Sequence, residues 1–247
     1  MEKKKEKPEG LLISDEKWEI IMSEVMDNKP ILFSSKTRGM GMTYISREIA
    51  EQLNRPFAEF RLPHIDLFEF VEYEDSYVNK MLQTENAIIT ITDAKYQVIV
   101  EFIDMVINKK EVKSPYSDKI LSVANGVTFI IQAPYDETLM YLFEKLDFLK
   151  DIQKIEFVLP DREEIEAFAK REYPNLNEKS VKNISNILEM INSMYEKTEL
   201  KTTFRKVYPS ISTFDMAFRM LEDGLPFDDV FYYTILMYIR DYNEYSR

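Results

Sequence analysis

Apolar residues in the first two thirds of the chain switch repeatedly between a helical and a strand period. Asp15 opens a helical stretch with Trp18, Ile21, Val25 and Met26 on one side, and Asn28-Lys29-Pro30 ends it. Ile31-Leu32-Phe33 then reads as a short buried strand. Thr43 to Leu53 reads as a helix, with Ile45, Ile49 and Leu53 along one stripe. Pro56 to Leu62 alternates apolar and polar residues, the period of a half-buried strand, and Ala87 to Thr92 (AIITIT) is rich in β-branched residues. Tyr96 to Lys109 predicts a long helix. Val127 to Gln132 (VTFIIQ) and Lys154 to Leu159 (KIEFVL) predict two more buried strands. Strands alternating with helices in this way predict a three-layer α/β domain on a mostly parallel sheet.

After Pro160 the pattern changes. Asp161-Arg162-Glu163-Glu164 has the form of a helix start, with acids favoured by the helix dipole. Apolar residues then recur only at helical spacing, first Val181, Ile184, Ile187, Leu188 and Ile191, later Met216, Phe218, Met220 and Leu221. Three parts are expected: a flexible tail over 1–14, an α/β core over 15–159 and an all-helical domain over 160–247. The aromatic run from Phe227 to Ile239 either closes the core of that last domain or leaves an apolar stripe for docking.

Composition narrows the function classes. The 247 residues are 45% apolar and 31% charged, ordinary for a globular protein with a sizeable core. No apolar run approaches the roughly 18 residues that span a bilayer. The opening Met1-Glu2-Lys3-Lys4-Lys5-Glu6-Lys7 has no apolar segment of a secretory signal, so a cytoplasmic location is expected. Cysteine is absent, which removes disulfides and thiolate chemistry, and a single histidine, His64 beside Pro63, weighs strongly against a histidine-based metal site or triad. A net charge of −12 weighs against a broad nucleic-acid face.

One stretch carries candidate chemistry. Lys36-Thr37-Arg38-Gly39-Met40-Gly41-Met42-Thr43 lies between a predicted strand and a predicted helix, the position of a phosphate-binding loop. In such a loop glycines let backbone N–H groups approach phosphate, a lysine reaches the β/γ oxygens, and Ser or Thr holds magnesium. Gly39, Gly41 and Thr43 are kept, and two of the five glycines in the chain stand here. Lys36 replaces the first glycine and Met42 the lysine. Met42 supplies no charge-assisted hydrogen bond, each of which is worth about 1.5–3 kcal/mol.

From residue 15 to 230 the order of parts resembles the AAA+ ATPases, and within them the MoxR-like branch. The loop is the first landmark. The second is AIITITDA, where the resemblance implies a magnesium-shell aspartate at Asp93 and a water-positioning glutamate replaced by Ala94. Third come Glu111-Val112-Lys113, the turn Asn125-Gly126 and the strand to Pro134, implying a small hairpin and a sensor asparagine. That sensor position holds Ala133, with Gln132 a displaced substitute. Fourth is Leu146-Asp147-Phe148-Leu149-Lys150, where the family places an arginine finger and this chain has none; Lys145 and Lys150 nearby are no bidentate substitute. Fifth is Pro209-Ser210-Ile211-Ser212-Thr213-Phe214-Asp215, which resembles the lid pattern with Phe214 at the sensor arginine.

The residues that shape the family scaffold are kept and those that touch phosphate are changed. The resemblance therefore implies a catalytically inactive AAA+-like protein, a structural, adaptor or assembly subunit working through protein–protein contacts. Other AAA+ subunits or copies of itself are the expected partners, and no cofactor is expected. The alternative is a nucleotide-binding ATPase with a rewired loop, in which Lys36 and Arg38 restore positive charge and ATP or ADP binds with magnesium at Thr43 and Asp93. Asp93 serves equally as a strand-end cap of the next helix. A third reading, a nucleic-acid-binding initiator or loader module, needs a basic patch such as Lys109, Lys110 and Lys113, and the acidic total makes it unlikely.

Overall fold

A computed structural model describes residues 6–8, 10–35, 39–61, 72, 76–92, 96–114, 116–134, 137–197 and 210–236. They fall into two compact units. The first holds Glu16–Ser35 and Met42–Glu156; the second draws its described residues from Glu6–Asp15, Lys36–Gly41 and Phe157–Arg247.

The strands in chain order are β1 (Ile31–Ser35), β2 (Phe57–Arg61), β3 (Ile88–Thr92), β4 (Glu111–Lys113), β5 (Ile120–Ser122), β6 (Thr128–Pro134) and β7 (Gln153–Phe157). Five form one sheet in the order β2-β3-β6-β1-β7, and β4 with β5 makes a separate antiparallel hairpin. The β2–β3, β3–β6 and β1–β6 pairs are parallel, with Leu32 beside Ile131 and Ile89 beside Phe129. Every residue of β1 and β3 is buried. Strands covered on both faces read as continuous apolar runs, which is how these two stood out in the sequence. β2, at the edge, keeps the alternation of a half-covered strand.

The helices of this part are α1 (Asp15–Met26), α2 (Met42–Leu53), α3 (Tyr77–Leu82), α4 (Tyr96–Phe102, running into a π-helical turn at Ile103–Asn108), α5 (Glu137–Lys145) and α6 (Asp147–Lys150). On one face of the sheet Leu32, Phe60, Ile91, Ile131 and Ala133 join Phe102 and Phe143 in a single core, which also takes in Val112 and Leu121 of the hairpin. The alternate residues, such as Ile31, Phe33 and Ile130, turn to the other face, where Ile45 and Ile49 of α2 are buried. The expected α/β arrangement is therefore present. The long helix expected from Tyr96 to Lys109 departs from α geometry at Ile103, and Met26, on the predicted apolar side of α1, is 39% exposed because burial stops at Val25.

Opposite the loop end of the strands, one side chain ties the chain's turns together. The half-buried Arg55 guanidinium donates to the carbonyls of Val25 (3.1 Å), Asn86 (2.6 Å), Ala87 (3.4 Å) and Gly126, and to Thr128 Oγ1 (2.9 Å). It thereby joins the end of α1 to the starts of β3 and β6. Gly126, at φ +73°, is required by this turn, since a Cβ there would stand 2.1 Å from Asn86 Oδ1.

In the second unit α7 (Arg162–Glu172), α8 (Glu178–Lys197), α9 (Ile211–Glu222) and α10 (Phe227–Phe231, passing into a π-helical turn at Tyr232–Leu236) follow one another, and among the described residues no strand follows Phe157. α7 starts with a capping box: the Glu164 N–H donates to Asp161 Oδ1 and the Asp161 N–H to Glu164 Oε2, both at 2.9 Å. Ile165, Phe168, Tyr173, Ile184, Phe214, Phe218 and Val230 form its core, and Leu12 packs against them. Leu11 and Ile13 are also buried. Residues 10–14 thus belong to the folded structure, a correction to the tail expected over that stretch: three consecutive apolar residues, Leu11, Leu12 and Ile13, find cover.

Candidate functional site

The loop between β1 and α2 is described from Gly39 onward; Lys36 and Arg38 lie outside the described residues. Gly39 and Gly41 have φ values of +77° and +74°, left-handed conformations that favour glycine. The Gly39 carbonyl accepts two hydrogen bonds from the first turn of α9, from the Ser212 N–H at 3.0 Å and from Ser212 Oγ at 3.1 Å. A Cβ on Gly39 would stand 2.7 Å from Ser210 Oγ and 2.8 Å from Ser212 Oγ, whereas one on Gly41 would meet nothing nearer than Ile211 Cδ1 at 3.8 Å. Ser210 caps α9, its N–H donating to Thr213 Oγ1 at 3.1 Å. The amides at a helix start have no partner inside the helix, and here the loop backbone supplies one.

α2 begins at Met42, so Thr43 lies in its first turn. The Thr43 hydroxyl donates to Gln132 Oε1 at 3.1 Å, and Gln132 Nε2 donates to Ser46 Oγ at 3.3 Å. Ser46 in turn donates to the Met42 carbonyl at 2.9 Å. Strand alternation explains which residue of β6 reaches α2. Gln132, opposite Phe33, turns toward α2, and Ala133, opposite Ser34, turns into the core with Leu32 and Ile91. Gln132 thus bonds Thr43 and Ser46 of α2, while the expected sensor position, Ala133, is packed away. Ser46 went unnoticed in the sequence. Its signal was a small polar residue three positions after Thr43, hence on the same helix face.

Asp93 and Ala94 lie outside the described residues. Thr92, which precedes them, directs its Oγ1 to Glu59 Oε1 at 3.5 Å. Phe214 is fully buried in the helical core, and the next residue, Asp215, accepts a hydrogen bond from the Tyr173 hydroxyl at 2.5 Å. Burial, aided by the Asp215 carboxylate, pushes the Tyr173 pKa up to about 12. Asp147 is exposed and paired with Lys150, whose hydrogen bond holds its carboxyl below the usual range. Of the candidate basic patch, Lys109 is paired with Asp104, and Lys110 and Lys113 are exposed. No described helix is long and apolar enough to cross a membrane.

No protein-family profile matches the chain, and no curated protein sequence matches it. Solved structures do. The ORC2 protein of Aeropyrum pernix in its ADPNP–ADP complexes is similar at 12% identity and a TM-score of 0.54, over 89% of this chain and 67% of that one. The same protein in its ADP form matches at 11% identity and a TM-score of 0.49, over 85% and 64%. A point mutant of RuvB from Thermotoga maritima matches at 10% identity and a TM-score of 0.48, over 74% and 63%. The chain thus spans 63–67% of the length of these solved chains. At such identity the likeness concerns the fold alone, and it supports the AAA+-type α/β P-loop fold implied by the order of the landmarks.

Proposed function

We propose that this chain is a catalytically inactive AAA+-like protein, similar to the MoxR-like branch, that serves as a structural or adaptor subunit through protein–protein contacts. The observation that carries this reading is the internal use of groups that a nucleotide would need. The one described hydroxyl of magnesium-ligand type, on Thr43, is bonded to Gln132. Met42 brings no charge, Ala133 is packed into the sheet core, and Phe214 is buried in the helical core. The Gly39 carbonyl sits at the α9 N-terminus, the kind of place where a helix otherwise receives an anion. Among the described loop residues Gly39 to Thr43 none carries a charge that could meet a phosphate, which supports this reading. Five phosphate-facing substitutions with the packing kept describe a scaffold rather than a variant mechanism. An α/β core over 15–159 and a helical lid over 160–247 remain the proposed division, with a cytoplasmic location.

The second reading, nucleotide binding through a rewired loop, is favoured by the positive φ of both Gly39 and Gly41, a geometry that can gather backbone N–H groups around an anion. The structural neighbour from Aeropyrum pernix, described with ADPNP and ADP, brings that ligand class into view. Isothermal titration of ATP and ADP with magnesium, on wild type and Lys36→Ala, separates the two. The scaffold reading expects no binding heat at millimolar nucleotide. Micromolar binding that is lost in Lys36→Ala overturns it in favour of the rewired loop.

A further inference from the structure

The β4–β5 hairpin has an inner and an outer face. Val112 and Leu121 enter the core, while Glu111, Lys113, Ile120 and Ser122 point outward, with Lys113 directly opposite Ile120. The tip between the strands is held from one side. Glu72 Oε1 accepts from the hydroxyls of Ser114 and Ser117, the latter at 2.7 Å, and the Glu72 carbonyl accepts from Lys119 Nζ at 3.3 Å. Ser114 Oγ also accepts the Tyr116 and Ser117 N–H groups at 2.9 and 3.2 Å. These bonds hold a loop that exposes two large apolar side chains beside the charged Asp118 and Lys119: Tyr116 is 76% exposed and Ile120 54% exposed. A rigid, exposed aromatic costs little conformational entropy to bind with, the property of interface anchors. From 109 to 119 the chain carries four lysines against Glu111 and Asp118, locally +2 in a protein of −12.

The complementary surface is on the same chain. Between the end of α9 and the first turn of α10, Glu222, Asp223, Asp228 and Asp229 are all exposed, no basic residue lies between 220 and 236, and Leu225 among them is 37% exposed. We infer that the hairpin docks on the α9–α10 turn of a second copy of this chain, with Tyr116 and Ile120 against Leu225 and Lys110 and Lys113 facing the four carboxylates. A contact between two different surfaces is head-to-tail, so each copy keeps one of each free for another neighbour. This names the partner in the scaffold reading and rests on it.

Sedimentation velocity across a concentration series, at low and moderate salt, tests the contact. Wild type is expected to self-associate, more weakly as salt rises. Lys110→Glu/Lys113→Glu and Asp228→Lys/Asp229→Lys should each weaken association about tenfold or more, and Tyr116→Ala likewise. Mixing the two charge-reversed proteins should restore association, which no folding defect would do. A monomer at every concentration, or association indifferent to both reversals, overturns the hairpin contact. Either result without nucleotide binding leaves the scaffold reading standing, whereas binding in the nucleotide titration removes that reading whatever the state of assembly.

Discussion

Replacing Gly39 by alanine should cost far more than the same change at Gly41, although the two glycines share one backbone conformation. At φ near +75° an added Cβ costs about 1–2 kcal/mol at either position, offset by about 0.4–1 kcal/mol from the stiffer unfolded chain. Gly41→Ala should therefore lose about 1 kcal/mol. At Gly39 the new methyl also meets Ser210 Oγ at 2.7 Å and Ser212 Oγ at 2.8 Å. Relief requires the loop to withdraw or both hydroxyls to turn. Turning the hydroxyls gives up the Ser212 Oγ bond to the Gly39 carbonyl, and withdrawing the loop gives up the Ser212 N–H bond as well, each worth about 0.5–1.5 kcal/mol; either route disturbs a helix cap worth about 1 kcal/mol. Gly39→Ala should lose about 2–4 kcal/mol in all. Urea unfolding followed by far-UV circular dichroism, without nucleotide, measures both. Equal costs within about 0.5 kcal/mol would refute the docking of the loop on α9. A loop serving only to cradle phosphate would show little of this difference in the free protein.

Other substitutions probe the remaining parts. Arg55→Ala should cost about 2–4 kcal/mol by leaving several turn carbonyls without their charged donor, seen as a fall in Tm of about 2–4 °C for each kcal/mol. Arg55→Lys should not rescue it, because an ammonium cannot span those acceptors. Phe214→Arg should collapse the helical unit by burying an unpaired charge, while Phe214→Leu should cost about 1–1.5 kcal/mol; a folded Phe214→Arg protein would contradict the placement of Phe214. Tyr173 binds its proton more tightly folded than unfolded, so its contribution is full below pH 10 and is lost as pH rises toward 12. Chemical unfolding of wild type against Tyr173→Phe should show that difference shrinking between pH 10 and 12; a constant difference would contradict it.

Where burial on both faces made runs of β-branched residues, the sequence was plain: Ile31-Leu32-Phe33, AIITIT and VTFIIQ all became central strands. The helical period after Asp161 was equally legible, because one apolar face on each helix had to meet a shared core. Short elements were not. α3 and α5 were missed, one too brief to establish a period and the other starting at Glu137, three residues after the end of β6. The left-handed turns at Gly39 and Gly41 were readable from the glycines themselves, since backbone geometry constrains residue type there. Its contacts were not readable, because they depend on partners distant in sequence: Gln132 lies 89 residues from Thr43, and Ser212 lies 173 from Gly39. Periodicity alone could not choose between Gln132 and Ala133. Adjacent strand positions face opposite sides, and only the register with β1 decides which side α2 covers.

Amide hydrogen exchange over the loop and the start of α9, with and without magnesium ATP at millimolar concentration, tests the central claim most directly. The Ser212 N–H belongs to the first turn of a helix, where an amide ordinarily exchanges freely for want of an intrahelical partner. Docked on the Gly39 carbonyl, it should be protected in the nucleotide-free protein, and ATP should leave its rate and those of Met40 to Thr43 unchanged. Fast exchange at Ser212 that slows on adding nucleotide would show a phosphate site awaiting its ligand, and would contradict the account.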